Sequence, residues 1–138
     1  MKCQSTNMRI SNKLIYGELS YKVNGILFMV HNELGRFRNE KEYCDAIEKY
    51  LKLFKLNYLR EKVLPPSFNG EKEGRNRIDF LIEDKIVLEV KTKRFLARED
   101  YFQARRYLTT LNKKLAILVN FSQKYLRIKR IINSKAKE

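Results

Sequence analysis

Hydrophobic residues recur every three or four positions in three stretches of the chain, a spacing typical of amphipathic helices. The first predicted helix covers residues 13–34 and is closed by Gly35. Asn39 followed by Glu42 is the pattern of a capping box, which predicts a second helix from this point. A third helix is expected at 98–112. The inward positions expected for the second and third helices are Tyr43, Ile47, Tyr50, Leu51, Phe54, Tyr101, Ala104, Leu108 and Leu111.

Short apolar runs between these helices predict strands at 58–64, 77–82, 86–92 and 115–121. An alternating run at 125–132 fits an edge strand, and the composition of 65–76 indicates a loop. The order is therefore two helices, three strands, one helix and two strands. This order predicts an α/β sandwich around a mixed sheet, as a single domain over residues 1–138 with flexible tails at 1–11 and 133–138.

Two neighbouring strands carry charged residues inside an apolar run, RIDFLIEDKIVLEVKTKR at 77–94. A hairpin with a three-residue loop at 83–85 gives one wholly apolar face, which strongly favours that register. The same register places Asp79 opposite Glu89 and Arg77 opposite Lys91. A two-residue loop would instead place Asp79 opposite Val90 and mix polar with apolar positions. The apolar pairs in the favoured register are Ile82 with Ile86, Phe80 with Leu88, and Ile78 with Val90.

The predicted register has a chemical consequence for Asp79 and Glu89, whose Cβ atoms would lie about 4.5–5.5 Å apart. Two carboxylates at this distance repel, unless one is protonated or a cation lies between them. Hard oxygen ligands of this kind suit Mg²⁺ or Mn²⁺. Lys91 follows on the same face and could orient an attacking water or stabilise charge on a phosphate. The alternative interpretation is an ion network of the three side chains on a solvated sheet face.

The distribution of charge along the chain indicates which classes of binding partner to expect. Of a net charge of +14, residues 85–138 contribute +11, from 15 basic and 4 acidic side chains, and residues 1–84 only +3. This asymmetry favours a nucleic-acid partner, although a surface adapted for solubility has the same composition. No apolar run is long enough for a membrane span, and the first residues lack a signal core, so a cytoplasmic chain is expected. Two cysteines and one histidine exclude a four-cysteine metal site within this chain.

The spacing of Asp79, Glu89 and Lys91 resembles the site pattern of the PD-(D/E)XK nuclease superfamily. From about residue 16 to residue 132, the chain also resembles the GxxExxY protein family, a small branch of that superfamily. Glu40 and Tyr43 stand where that family has its ExxY motif. The other matching segments are ELSYKVNGILFMVHNELG at 18–35, RIDFLIEDKIVLEVKT at 77–92, QARRYL at 103–108 and LVNF at 118–121.

The chain departs from the two patterns at two positions. Phe37 replaces the glycine of the family motif, and Ile78 replaces the proline that often precedes the aspartate in the superfamily. The resemblance implies an α-β-β-β-α-β nuclease core with an extra N-terminal helix. It also implies metal-dependent hydrolysis of phosphodiester bonds. We expect the nucleic acid to be DNA rather than RNA. Two alternatives share this fold, namely a catalytically silent nucleic-acid-binding protein and a Holliday-junction resolvase that works as a homodimer.

In the implied site, Asp79, Glu89 and the Val90 carbonyl hold Mg²⁺ or Mn²⁺, and Lys91 steers the nucleophile. Glu40 could complete the metal site, or it could simply place favourable charge at a helix N-terminus.

Other residues have competing interpretations. Gln103 and Tyr107 resemble a Gln-x-x-x-Tyr motif that supports the site of RecB-like nucleases; the alternative is a solvated amide and a partly buried aromatic. His31 could bind metal, as a helix histidine does in RecB-like enzymes, or be structural. The candidate phosphate contacts are Arg77, Lys93, Arg94, Arg98, Arg105, Arg106, Lys113 and Lys114.

Overall fold

A computed structural model describes residues 14–137, and in it a five-stranded sheet is flanked by helices. The predicted order of elements and the mixed α/β fold class are confirmed. Within the described residues, no helix is long and apolar enough to cross a membrane. The elements are α1 (Gly17–Leu34), α2 (Glu40–Leu53), β1 (Tyr58–Val63), β2 (Arg77–Ile82), β3 (Ile86–Lys91), α3 (Arg98–Leu111), β4 (Leu115–Asn120) and β5 (Arg127–Ile132).

The strands lie in the sheet in chain order, β1 to β5. All neighbours are antiparallel except β3 and β4, which are parallel and are joined by α3. Parallel neighbours need a crossover connection of this kind. The two ladders of β4 place Lys91, Asn120 and Arg127 side by side at one end of the sheet. This end of the sheet carries the charged residues singled out in the sequence.

Two hydrophobic cores form on the two faces of the sheet. The helices α1 and α2 pack over a core that includes Phe80, Leu88 and Phe121. The helix α3 packs over a second core that includes Leu81 and Val87. Because Val87 faces α3, the alternation of side chains along β3 directs Glu89 and Lys91 to the same face.

One predicted face position is wrong. Ile78 packs in the second core, not beside Phe80 in the first. The cause lies next to it in the sheet, since β1 and β2 pair on both sides of Asp79 but not at Asp79 itself. Glu61, which would be its partner, has a left-handed φ of 54°. This local distortion of the strand pair interrupts the regular alternation of side chains.

The remaining differences concern element ends. Phe54 was expected in the core, but α2 ends at Leu53 and Phe54 lies exposed beyond it. The predicted edge strand begins at Arg127 and not at residue 125. The expected tail at 1–11 lies outside the described residues. At the start of the other expected tail, 133–138, the Asn133 N–H donates to the carbonyl of Lys114.

The N-terminus of α2 is held by several interactions. The predicted capping box forms, with Glu42 N–H donating to Asn39 Oδ1 at 2.8 Å and Asn39 N–H donating to Glu42 Oε1 at 3.3 Å. The Tyr43 hydroxyl donates to the Gly35 carbonyl at 2.6 Å, and its ring stacks on Phe121 at 4.2 Å. These contacts tie the start of α2 to the end of α1 and to the sheet.

Candidate metal centre

The strands β2 and β3 part where their charged residues lie. Their ladder confirms the predicted register over three pairs and ends at Phe80 and Leu88, so the predicted pairs further along do not form. Beyond that point, Glu89 Oε1 accepts the Asp79 N–H at 3.1 Å, and Asp79 Oδ2 accepts the Val90 N–H at 2.7 Å. Each carboxylate is therefore held by the backbone of the opposite strand.

Burial sets the protonation of this carboxylate pair. Glu89 is only 4% exposed, and its burial together with the adjacent Asp79 raises its pKa to about 8. Burial also raises the pKa of Asp79, against the effects of the Val90 N–H and of Lys91. Without a cation, Glu89 therefore carries a proton at neutral pH. An ion network on a solvated sheet face, the alternative interpretation of the sequence, does not describe so buried a glutamate.

Glu40 is the first residue of α2 and faces Asp79 across a cleft of about 250 Å³. Partial burial, and then the charge of Asp79, raise the pKa of Glu40, so the two carboxyl groups interact. Glu61 lines the same cleft and was missed in the sequence. Its position opposite Asp79 depends on the register between β1 and β2, which we did not predict from the sequence.

Lys91 is held from the side of α3. Its Nζ donates to Gln103 Oε1 at 3.1 Å and lies 4.0 Å from Asp100 Oδ1. Gln103, selected from the sequence, is thus brought into contact with the lysine of the Glu-x-Lys motif. Tyr107 lies one helical turn further on and is almost fully buried, and its pKa is raised by burial and by the nearby Glu89.

Asp100 and Asn120 are two buried residues that sequence reasoning missed as parts of the site. Asp100 Oδ2 accepts the Ala97 N–H at 2.7 Å and lies 2.9 Å from Lys93 Nζ. Asn120 Oδ1 accepts the Lys93 N–H at 3.1 Å, and Asn120 Nδ2 donates to the Lys93 carbonyl at 2.8 Å. Together they hold the chain that leaves β3. Two features of the sequence could have found them. Asp100 is a carboxylate in the first turn of a predicted helix, and Asn120 is a polar residue at the end of a predicted buried strand.

His31 lies apart from the carboxylate pair. Its Nε2 is hydrogen-bonded to the Gln123 carbonyl at 3.0 Å, and its ring lies 6.1 Å from that of Phe121. Among residues 14–137, no three His, Cys, Asp or Glu side chains converge as a ligand group, so neither His31 nor Glu40 closes on the pair in this structure. These contacts link α1 to the segment that follows β4.

The donor set nevertheless fits a small hard cation. Mg²⁺ keeps several waters and is usually bound in proteins through one or two carboxylates. Asp79 and Glu89 supply two carboxylates, and the Val90 carbonyl is the third candidate oxygen implied by the resemblance. A cation would take the place of the proton that Glu89 otherwise holds.

The predicted phosphate contacts are divided between the two ends of the sheet. Lys93 and Arg94 follow β3 at the end where the carboxylates lie, while Arg77, Arg98, Arg105 and Arg106 are exposed on β2 and α3. Lys113 and Lys114 precede Leu115, whose partner Ile86 begins β3 at the other end. Lys113 Nζ also pairs with Asp84 Oδ1 at 3.0 Å. These two lysines are therefore remote from the carboxylate pair.

In a comparison with protein families, a family model described as the PD-(D/E)XK nuclease superfamily matches residues 17–131. The chain belongs to the PD-(D/E)XK nuclease superfamily. The match runs from the start of α1 almost to the end of β5. Searches of curated proteins and of solved structures gave no significant match.

Membership of the superfamily indicates a nuclease that acts on nucleic acid, and these enzymes typically use divalent metals such as Mg²⁺. The finer resemblance to the GxxExxY branch stays a prediction.

The raised pKa of Glu89 predicts how stability depends on pH without metal. The contribution of protonated Glu89 to the free energy of unfolding is fully present below the ordinary glutamate pKa of about 4.5. It is lost as the pH rises through about 8. We therefore expect the free energy of unfolding in EDTA to fall between these values by more than about 1 kcal/mol, given that one pKa unit corresponds to 1.36 kcal/mol. Urea unfolding across this pH range measures the fall in the free energy of unfolding.

The matched variant is Glu89→Gln, which keeps the shape of the side chain but cannot ionise. It should be more stable than the wild type at about pH 8 and should vary less with pH. If both proteins lost the same stability over this range, the titrating group would be a different one.

Proposed function

We propose that this protein is a divalent-metal-dependent nuclease of the GxxExxY branch, acting on DNA in preference to RNA. The observation that carries the proposal is the carboxylate pair of buried Glu89 and half-buried Asp79, held across the opening between β2 and β3, with Lys91 on the same face as Glu89. Hydrolysis of a phosphodiester needs an activated water and compensation for charge on the phosphate. The pair and the lysine supply side chains for both needs.

Each residue has a separate part in this proposal. Asp79, Glu89 and the Val90 carbonyl hold the metal, with Glu40 at the rim of the cleft. A bound Mg²⁺ or Mn²⁺ would lower the pKa of a water molecule bound to it and would neutralise negative charge on the phosphate. Lys91 orients the attacking water or contacts the phosphate, and Gln103 fixes its ammonium group through the 3.1 Å hydrogen bond. Tyr107, beside Glu89, keeps water from the inner side of the pair.

A catalytically silent nucleic-acid-binding protein is the second candidate. It is favoured by the raised pKa of Glu89, because a proton competes with the cation for this site. The deciding experiment incubates the protein with single-stranded, double-stranded and four-way-junction substrates of DNA and RNA, in Mg²⁺, Mn²⁺ or EDTA. Cleavage that needs metal supports the nuclease, and salt-sensitive binding without cleavage supports the silent protein. Preference for the junction by a dimer would indicate a resolvase.

The first prediction for this proposal concerns metal and stability. Mg²⁺ or Mn²⁺ should raise the melting temperature, because a ligand of the native state stabilises it by about 2.7 kcal/mol at 100 times its Kd. Asp79→Asn keeps an acceptor for the Val90 N–H but removes a charge, so it should stabilise the metal-free protein and abolish the response. Thermal unfolding at about pH 8, with and without metal, measures both effects.

Glu18→Gln is the control, since Glu18 lies exposed on α1 and its loss removes one charge without touching the cleft. It should keep the full response to metal. A response that persisted in Asp79→Asn would place the cation elsewhere.

The second prediction separates the lysine from the ligands. Lys91→Ala should lower the cleavage rate by about 10²–10⁴-fold, the usual range for general acid–base assistance, and leave metal binding and nucleic-acid affinity largely intact. Glu89→Ala should lose metal binding and cleavage together, because a direct ligand is removed. Single-turnover cleavage and metal titration measure the two effects.

Lys85→Ala is a matched control, because Lys85 lies in the turn of the same hairpin, at the end remote from the carboxylates. It should cleave like the wild type. Equal cleavage by the wild type and Lys91→Ala would remove Lys91 from the mechanism.

A further inference from the structure

A groove lies between α3 and β5, on the face of the sheet that carries Lys91. It consists of two adjoining depressions of about 560 and 280 Å³, which share Tyr101 and Lys129 in their walls. No carboxylate lines either depression, whereas the cleft at Asp79 is lined by Glu40, Glu61 and Asp79. The groove is therefore chemically distinct from the candidate metal centre.

Aromatic rings stand exposed along this groove. Phe95, in the segment after β3, is 69% exposed, and Phe102, on the outer side of α3, is 56% exposed. Tyr101 lies between them and contributes to both depressions. Exposed rings gathered at one place mark an interaction site more often than scattered ones do. Flat aromatic faces are the surfaces on which unpaired nucleobases stack.

Basic side chains alternate with these rings. Arg98 and Arg105 come from α3, and Arg127 and Lys129 come from β5. None of these four forms an ion pair with a carboxylate within residues 14–137. Their charge is thus not neutralised by the described part of the chain and is available for an anionic partner.

Arg130 makes a useful contrast, since it also contributes to the wall of the groove. Its guanidinium nitrogens donate to Ser20 Oγ and to the Ile15 carbonyl, both at 2.7 Å. That arginine is committed to α1 and to the turn before it. The alternation of side chains along β5 explains the difference. Arg127 and Lys129 lie on one face of the strand, and Arg130, which is bonded to Ser20 and Ile15, lies on the other.

The groove opens at the end of the sheet where the candidate metal centre lies. Lys91, Asn120 and Arg127 are neighbours across β3, β4 and β5. Adjacent strands lie about 4.8 Å apart, so Arg127 is two strand spacings, about 10 Å, from Lys91 along the sheet. Asn120 joins the two regions, because it lines the groove and also binds the backbone of Lys93.

We infer that this groove binds single-stranded nucleic acid, with bases stacked on Phe95 and Phe102 and phosphates on Arg98, Arg105, Arg127 and Lys129. The inference rests on the proposed function, which it deepens by naming the strand that is delivered to the metal centre. A positively charged groove with aromatic platforms is the general design of single-strand binding. In a duplex the bases are stacked on each other, so these rings would have no bases to contact.

Fluorescence anisotropy in EDTA tests the inference without cleavage. The probes are labelled oligo-dT and oligo-U of about 12 nucleotides, a length within the usual range of single-strand sites, and a DNA duplex of equal length. The double variant Phe95→Ala/Phe102→Ala should bind both single strands roughly tenfold or more weakly, since stacking contributes strongly for each base. Its affinity for the duplex should change by less than about twofold.

The control is Tyr21→Ala/Phe68→Ala, which removes two rings of similar exposure from α1 and from the loop before β2. It should bind every probe like the wild type. Phe102→Leu retains apolar bulk without a ring and should also lose single-strand affinity. Arg105→Ala should weaken binding and reduce its dependence on salt.

Unchanged single-strand affinity in the Phe95 and Phe102 variants, or an equal loss for single strands and duplex, would overturn the inference. A change in molar mass by light scattering, with unchanged affinity, would assign the rings to a protein interface. The proposed function fails separately: if the wild type binds single strands through the groove but never cleaves with metal, the groove stands and the nuclease does not.

Discussion

The structure depends on how β2 and β3 separate beyond Phe80 and Leu88. Backbone N–H groups in the middle of a sheet must be satisfied, and an unpaired one is costly. Here Glu89 and Asp79 accept from the N–H groups of Asp79 and Val90, which the ladder no longer serves. The carboxylates therefore take part in holding the hairpin together. Since buried carboxylates favour either a proton or a cation, the same feature that completes the sheet also creates a candidate site for metal.

The crossover between β3 and β4 brings the rest of the site to this pair. A parallel neighbour for β3 needs a helix across the face of the sheet, and α3 provides it. Gln103 on that helix then meets Lys91, and Asp100 in its first turn binds Lys93 and the Ala97 N–H. The requirement for a connection thus positions the groups that orient the lysine.

The hairpin was predictable because its information is local. The register follows from the alternation of apolar residues and the length of one loop, and the structure confirms it from Ile82–Ile86 to Phe80–Leu88. The missed features depend on elements that are distant in sequence. Glu61 faces Asp79 only through the offset of β1 on β2, and its left-handed φ has no residue-type signal. The wrong prediction for the face of Ile78 has the same origin, since it follows from the unpaired position of Asp79 and Glu61.

Residue type alone also could not sort the basic side chains. Arg127, Lys129 and Arg130 are consecutive or nearly so, but the alternation of β5 separates them, and Arg130 bonds to Ser20 and the Ile15 carbonyl on the other face. A similar separation divides α3, where Gln103 and Tyr107 are four residues apart and lie on one side, as expected for a helix. Arg98, Phe102 and Arg105 share the side that faces the groove or solvent. Because the two sides of α3 contact different regions, the proposed binding of a strand and the proposed chemistry at the carboxylates are open to separate alteration by substitution.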